Sequence, residues 1–458
     1  MEHIQGYDYF CTVLLFIKKP EIALRKIFKK IVKTKDPEPK IMFGRYSDAY
    51  KEEKRFDQWD LAIELYDAGR TMESIRSFLY YLRNEELQNV ILHKSDQQFH
   101  FIIYQGSKRI EGSIQEGKLL AFANIVQSSF IEEDLFVEML EKNYFLKYTR
   151  FSLTDEGILR LSMKCPLREA SPYYLFYSLR ELAITADRED DLILHAYPTI
   201  QRVDSGHIRE ITENEKKIKY DFFIEQIHTV LDILSHAPFE MDKHPGAGSY
   251  LLLATLFKID FLVKPEGVLM ETIREAQRNF FQSSPSTAVE KMNALRVDIE
   301  SLKNVSYEQF IKELYEVVFT FGVTAPAGRE ELKGLIFNEL NNINYYEEGG
   351  YDAFALAIPD YIAGYCLYYY SLLSIEKDLL LLYFKIREAS YFSALGFHIP
   401  FWEGTALKIK QVKKEIKRIK LKHKYPIPGL SKLEWKTPIR FYASYIAMIA
   451  SIRSRPEN

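Results

Sequence analysis

Cysteine is nearly missing from this chain: Cys11, Cys165 and Cys366 are the only three in 458 residues. So few, so far apart, exclude a disulfide framework or a zinc cluster and point to a reducing, cytoplasmic compartment. Catalytic signatures are missing too, with no His-Glu-x-x-His, Gly-x-Ser-x-Gly, Cys-x-x-Cys or Gly-x-Gly-x-x-Gly anywhere in the sequence. Long uncharged apolar runs are scarce. The run from Tyr9 to Ile17 follows acids, precedes lysines and lacks a small-residue cleavage site, so it does not read as a signal peptide. Ala353 to Leu373 is long enough to span a bilayer but contains Pro359, Asp360 and a group of tyrosines, and reads as a buried helix.

What the chain does have is aromatic bulk and an uneven charge distribution. With 31 Tyr, 31 Phe and 47% apolar residues it is a globular protein with well-filled interiors, and its length suggests two domains. The net charge of −3 conceals an asymmetry. Residues 18–40 hold nine basic and three acidic side chains and residues 405–458 hold fourteen and three, so the segment between them carries −18.

Residues 58–193 read as helix, four-strand meander, helix, hairpin, helix. Trp59, Ala62, Ile63, Leu65 and Tyr66, then Met72, Ile75, Phe78, Leu79 and Leu82 after Gly69, put apolar stripes on a helical pair. From Val90 the period changes to short apolar runs split by turns: Val90 to Leu92, Phe99 to Tyr104, Lys108 to Ile114 and Leu119 to Val126. Ser129 with Glu132 has the form of a capping box opening a helix whose buried face is expected to be Leu135, Phe136, Met139 and Leu140. Phe145 to Leu153 and Leu159 to Met163 flank a turn and make a hairpin, and Ser171-Pro172 opens a last helix through Leu175, Leu179, Leu182 and Ala186. This order resembles the type III secretion chaperone-like fold shared with YbjN-like bacterial proteins, over residues 56–197. The resemblance implies an antiparallel sheet with helices on one face and a non-enzymatic, often dimeric protein that binds other polypeptides.

Beyond Tyr197 helical periodicity takes over. Thr212 with Glu215, Thr287 with Glu290 and Ser306 with Gln309 look like capping boxes, and helices are expected over residues 216–235, 247–261, 267–281, 288–302, 307–322, 328–342, 359–373, 375–394, 405–424 and 438–452. The expected architecture is therefore α+β: a basic N-terminal extension over residues 1–55, a chaperone-like sheet domain over 56–205, and an all-α domain over 206–458. Trp59, Leu65-Tyr66, Gly69, Glu73 and Phe78 also resemble one tetratricopeptide helix pair, which alone cannot bury its faces and reads as a hairpin leaning on the sheet.

Three features invite a chemical reading. His244-Pro245-Gly246-Ala247-Gly248-Ser249 precedes a helix but lacks the lysine and spacing of a phosphate loop. Glu225, His228, Asp232 and His236 share a helical face, yet a carboxylate-bridged metal site needs a second such pair, so a solvated face is expected. Lys413, Lys414, Lys417, Arg418 and Lys420 crowd one helix around the stripe Ile409, Val412, Ile416 and Ile419 and form the candidate interaction surface. No catalytic, metal or cofactor residue is assigned. The expected function is a cytoplasmic, non-catalytic protein-interaction or regulatory module that binds another polypeptide or its own copy. The alternatives are a helical enzyme or nucleotide-handling domain with an accessory interaction module, or binding of nucleic acid or anionic membrane by the basic helix.

Overall fold

The computed structural model describes residues 38–48, 51, 53–94, 99–128, 133–322 and 327–453. Cys11, the apolar run from Tyr9 to Ile17 and the Ser129 to Glu132 cap lie outside these residues. Helices α1 (Glu53–Asp67) and α2 (Thr71–Leu82) form a hairpin about Gly69, whose φ of +74° suits glycine at the break. Strands β1 (Val90–Lys94), β2 (Phe99–Gln105), β3 (Lys108–Gln115) and β4 (Lys118–Gln127) then form the antiparallel meander. After α3 (Glu133–Phe145) comes the hairpin β5 (Arg150–Leu153) and β6 (Ile158–Pro166), and then α4 (Pro172–Ala196), capped by the Ser171 hydroxyl, which accepts from the Tyr174 N–H. The sheet order is β1-β2-β3-β4-β6-β5, antiparallel throughout, and the short β7 (Gln201–Arg202) adds a seventh strand against β4.

Alternation along the strands decides which face is covered. Phe101, Ile103, Ile110, Leu119, Ala121, Ala123, Leu159, Leu161 and Met163 turn to one side, where Leu175, Leu179, Leu182 and Ala186 of α4 bury them. Gly112 sits opposite Phe101 because a Cβ there would enter its ring, 1.9 Å from the nearest atom. The α1–α2 hairpin leans on α4, with Trp59 edge-on to Tyr173 and Phe176 at 5.0 and 6.1 Å.

The second half is helical, apart from short β-bridges. After β8 (Arg209–Glu210) run α5 (Glu213–Ser235), α6 (Pro245–Leu262), α7 (Gly267–Phe281), α8 (Ala288–Leu302) and α9 (Tyr307–Lys312). Past the two-residue β9 (Tyr315–Glu316) come α10 (Leu332–Leu340), α11 (Ile343–Glu348), α12 (Asp352–Tyr369), α13 (Ser374–Arg387), α14 (Ala389–Ala394), α15 (Ile409–His423) and α16 (Pro438–Ala450). The capping boxes at Thr287 and Ser306 are complete, whereas at Thr212 the hydroxyl accepts from the Glu215 N–H. Ala353 to Leu373, read as a buried helix, falls mainly in the interior helix α12, with Pro359 inside it and Asp360 buried. No helix among the described residues is long and apolar enough to cross a membrane. Apolar side chains gather in two clusters, one under the sheet and one among the helices.

One expected helix is cut short. The pattern over 307–322 stops at Lys312, and β9 pairs with β8 before the chain runs back to the sheet. There the Gly106 N–H donates to the Val318 carbonyl at 2.9 Å, and Phe321 is fully buried in the cluster under the sheet. Leu314 to Phe321 is rich in β-branched and aromatic residues, which suit extended chain better than helix.

Candidate functional site

The outer face of α3 departs most from expectation. Leu135 and Met139 point inward and are buried, as the spacing predicts, but Phe136 and Leu140, expected beside them, are 45% and 54% exposed. The four span about 140° of the helix, and the body covers only the Leu135 and Met139 side. The side facing solvent therefore holds Phe136, Val137, Leu140 and Tyr144, joined at the helix end by Phe145 and, on β5, by Leu153. Tyr144 and Phe145, 85% and 78% exposed, meet edge to face at 5.3 Å. Among them stand the exposed acids Glu133, Asp134, Glu138 and Glu141. Lys142, half-buried, is held by Glu138 at 2.6 Å and by Glu189, while Lys147 and Arg150 lie past the end of the helix.

Neighbouring β5 is the last strand of the sheet, yet its backbone is not an open template. The Phe151 N–H donates to Asn143 Oδ1 at 2.7 Å, and Asn143 Nδ2 returns a bond to the Phe151 carbonyl at 3.2 Å. A side chain of α3 thus occupies the outward backbone groups of Phe151. Beside it lies the apolar stripe.

The candidate basic surface is arranged otherwise. Val412, Ile416 and Ile419 are buried, fixing α15 on the helical body, with Lys422 and His423 both 2.7 Å from Asp378 of α13. Lys413, Lys414, Lys417, Arg418 and Lys420 are all exposed. Lys413 lies 5.1 Å over the Trp435 ring and Arg418 donates to Glu415 at 2.8 Å. The structure thus brings the five onto one exposed face, and it is the apolar stripe that docks on the body.

Glu225, His228 and Asp232 on α5 and His236 just past its end are solvent-exposed, and His236 pairs with Asp232 at 3.2 Å. No group of three or more His, Cys, Asp or Glu side chains among the described residues converges as for a metal ion. In the glycine loop, Pro245 opens α6, and a Cβ on Gly248 would come within 2.5 Å of the Met292 sulfur. That glycine serves the close packing of α6 on α8.

Sequence reading missed a cleft of about 330 Å³ between α5, α6, α12 and α13. Lys258 lies 2.6 Å from Glu388 and 3.5 Å from Asp360, while Gln226 accepts from it at 3.2 Å. Asp360 also takes a bond from the Tyr383 hydroxyl at 2.6 Å and from Arg387 at 3.2 Å. Burial opposes ionisation of Asp360, but Arg387 and Lys258 outweigh it and hold the carboxyl below its usual range. The charged groups at the base of this cleft already answer one another and tie the helices together. A comparison with protein-family models and with curated proteins returns no match for this chain.

Proposed function

We propose that the protein is a cytoplasmic, non-catalytic polypeptide-binding module that docks its partner on the outer stripe of α3. The observation that carries this reading is the stripe itself: Phe136, Val137, Leu140, Tyr144 and Phe145 contiguous in water on a helix whose inner face is already buried. Covering Phe136, Val137 and Leu140, each about half exposed, stabilises a complex by about 1 kcal/mol apiece before the cost of ordering, and the more exposed Tyr144 and Phe145 contribute more. The element order resembling the secretion chaperones supports the same reading, and the internally paired charges of the cleft weigh against a helical enzyme. The test is the double variant Phe136→Asp, Leu140→Asp against a partner captured by the tagged protein and then purified. Affinity should fall by roughly a hundredfold, about tenfold per anchor, while thermal stability stays within about 0.5 kcal/mol, as for exposed positions. A purified partner that binds both forms equally overturns the proposal.

A second reading rests on the solvent-facing lysines of α15, which suit an anionic polymer or lipid surface. It requires binding of DNA, RNA or anionic vesicles that weakens steeply with salt and is lost on changing Lys413, Lys414, Lys417 and Arg418 to Gln. Negligible binding by the wild type at physiological salt removes it.

A further inference from the structure

The α3 stripe is apolar and acidic together, and that combination narrows its occupant. Packing α3 on α3 of a second copy would bring Glu133, Asp134, Glu138 and Glu141 against the same four acids, an arrangement that like-charge repulsion disfavours. The complementary partner is a helix-period segment with apolar residues for the stripe and cations for its flanks. The chain contains two cationic segments with that spacing. One is α15, whose stripe of Val412, Ile416 and Ile419 is already spent on the helical body. The other is residues 18–35, outside the described residues, with eight basic side chains and one acid, and with Ile22, Leu24, Ile27, Phe28, Ile31 and Val32 at helical spacing.

We propose, resting on the reading of α3 as a polypeptide-docking surface, that its occupant is this chain's own segment 18–35, from the same or a second copy. Leu24, Ile27, Phe28 and Ile31 cover Phe136, Leu140 and Tyr144, and Lys26, Lys29, Lys30 and Lys33 face Glu138, Glu141 and their neighbours. The protein then carries an occupant for its own docking surface, which an external partner must displace.

The experiment uses the full chain with a photo-crosslinking phenylalanine analogue in place of Val137, and peptide mapping of the product. The expected cross-links fall within residues 18–35, at monomer mass for the same copy and dimer mass for a second. Changing Lys26, Lys29, Lys30 and Lys33 together to Glu should cut their yield by at least about tenfold, and adding Glu138→Lys with Glu141→Lys should restore it. Cross-links only to other segments, or none, overturn the inference, as does a yield indifferent to both charge changes. A labelled synthetic peptide of residues 18–35, added to the quadruple Glu variant with and without Phe136→Asp and Leu140→Asp, separates the two levels. If it binds only where Phe136 and Leu140 are intact although the full chain gave no cross-link, the docking surface stands and the internal occupant falls. If it does not bind either, both fall. Partition of the peptide into anionic vesicles in preference to the protein also overturns the inference, in favour of a membrane role for that segment.

Discussion

Gln105, at the end of β2, spends its whole amide on backbone 215 residues further along the chain. Its Oε1 accepts from the N–H groups of Thr320 and Phe321 at 3.0 and 2.9 Å, and its Nε2 donates to the Phe321 carbonyl at 3.2 Å. Thr320 completes the clasp by donating its hydroxyl to the Tyr104 carbonyl at 2.7 Å and accepting from Asn89 at 2.9 Å. Gly106, next in line, turns at φ +55°, and a Cβ there would lie 1.9 Å from an Asp187 oxygen, so only glycine fits. Truncating Gln105 leaves two buried N–H groups and a carbonyl without a side-chain partner. Gln105→Ala should therefore cost about 1–3 kcal/mol, read as a lower denaturation midpoint. It should also bring faster amide exchange at Thr320 and Phe321, with exchange in the central strands β3 and β4 less affected. Unchanged exchange at those two amides would show that the clasp is not what holds the segment.

At the scale of elements, the sheet was legible because its signals are local. Each strand of residues 90–166 carries its own alternation and turn, and the register follows from which side chains must leave water. Helix existence was legible for the same reason, as at Thr287 and Ser306, where complete capping boxes mark the starts. Two failures have one cause, that periodicity counts apolar residues without saying what meets them. On α3 it put Phe136 and Leu140 with Leu135 and Met139, although only the latter pair is covered. Over 307–322 it extended α9 past Lys312, where the run Val317 to Phe321 is instead drawn to the distant edge formed by Gln105 and Gly106. The basic face of α15 could be read because charge spacing is a sequence property, and the cleft could not, since the ion pairs of Lys258 reach partners more than a hundred residues away.

At the scale of the whole molecule, the segment that returns from the helices to the sheet brings acidic groups together under cover. Asp187, Asp190 and Asp191 of α4 are buried, with Ser107 donating to Asp187 at 2.7 Å and Lys108 2.9 Å from Asp190. Arg202 lies 2.7 Å from Asp191, to which the Tyr315 hydroxyl also donates at 3.2 Å. Burial pushes Asp191 up to about 6 despite Arg202, and Asp187 well above the carboxylate range, helped by its acidic neighbours. Glu313, which accepts from the Val268 N–H at 2.9 Å at the start of α7, is pushed up to about 7 by burial and then by Asp191. Carboxyls whose folded pKa is raised favour folding most below their unfolded pKa and lose that contribution as pH rises through the folded value. Between about pH 4 and 7 these three groups should therefore lower stability with rising pH. His207, its ring tilted against that of Tyr104 at 4.7 Å, opposes them, since burial lowers its pKa and its neutral form gains as pH rises. Glu313→Gln isolates the carboxyl contribution, because the amide oxygen can still accept from Val268 while nothing ionises. Melting curves from pH 5 to 8.5 should show a shallower decline through pH 7 in the variant, and at pH 8 a melting temperature higher by about 2–4 °C per kcal/mol recovered. A variant that follows the wild-type pH profile would mean that Glu313 ionises as freely in the folded chain as in the unfolded one.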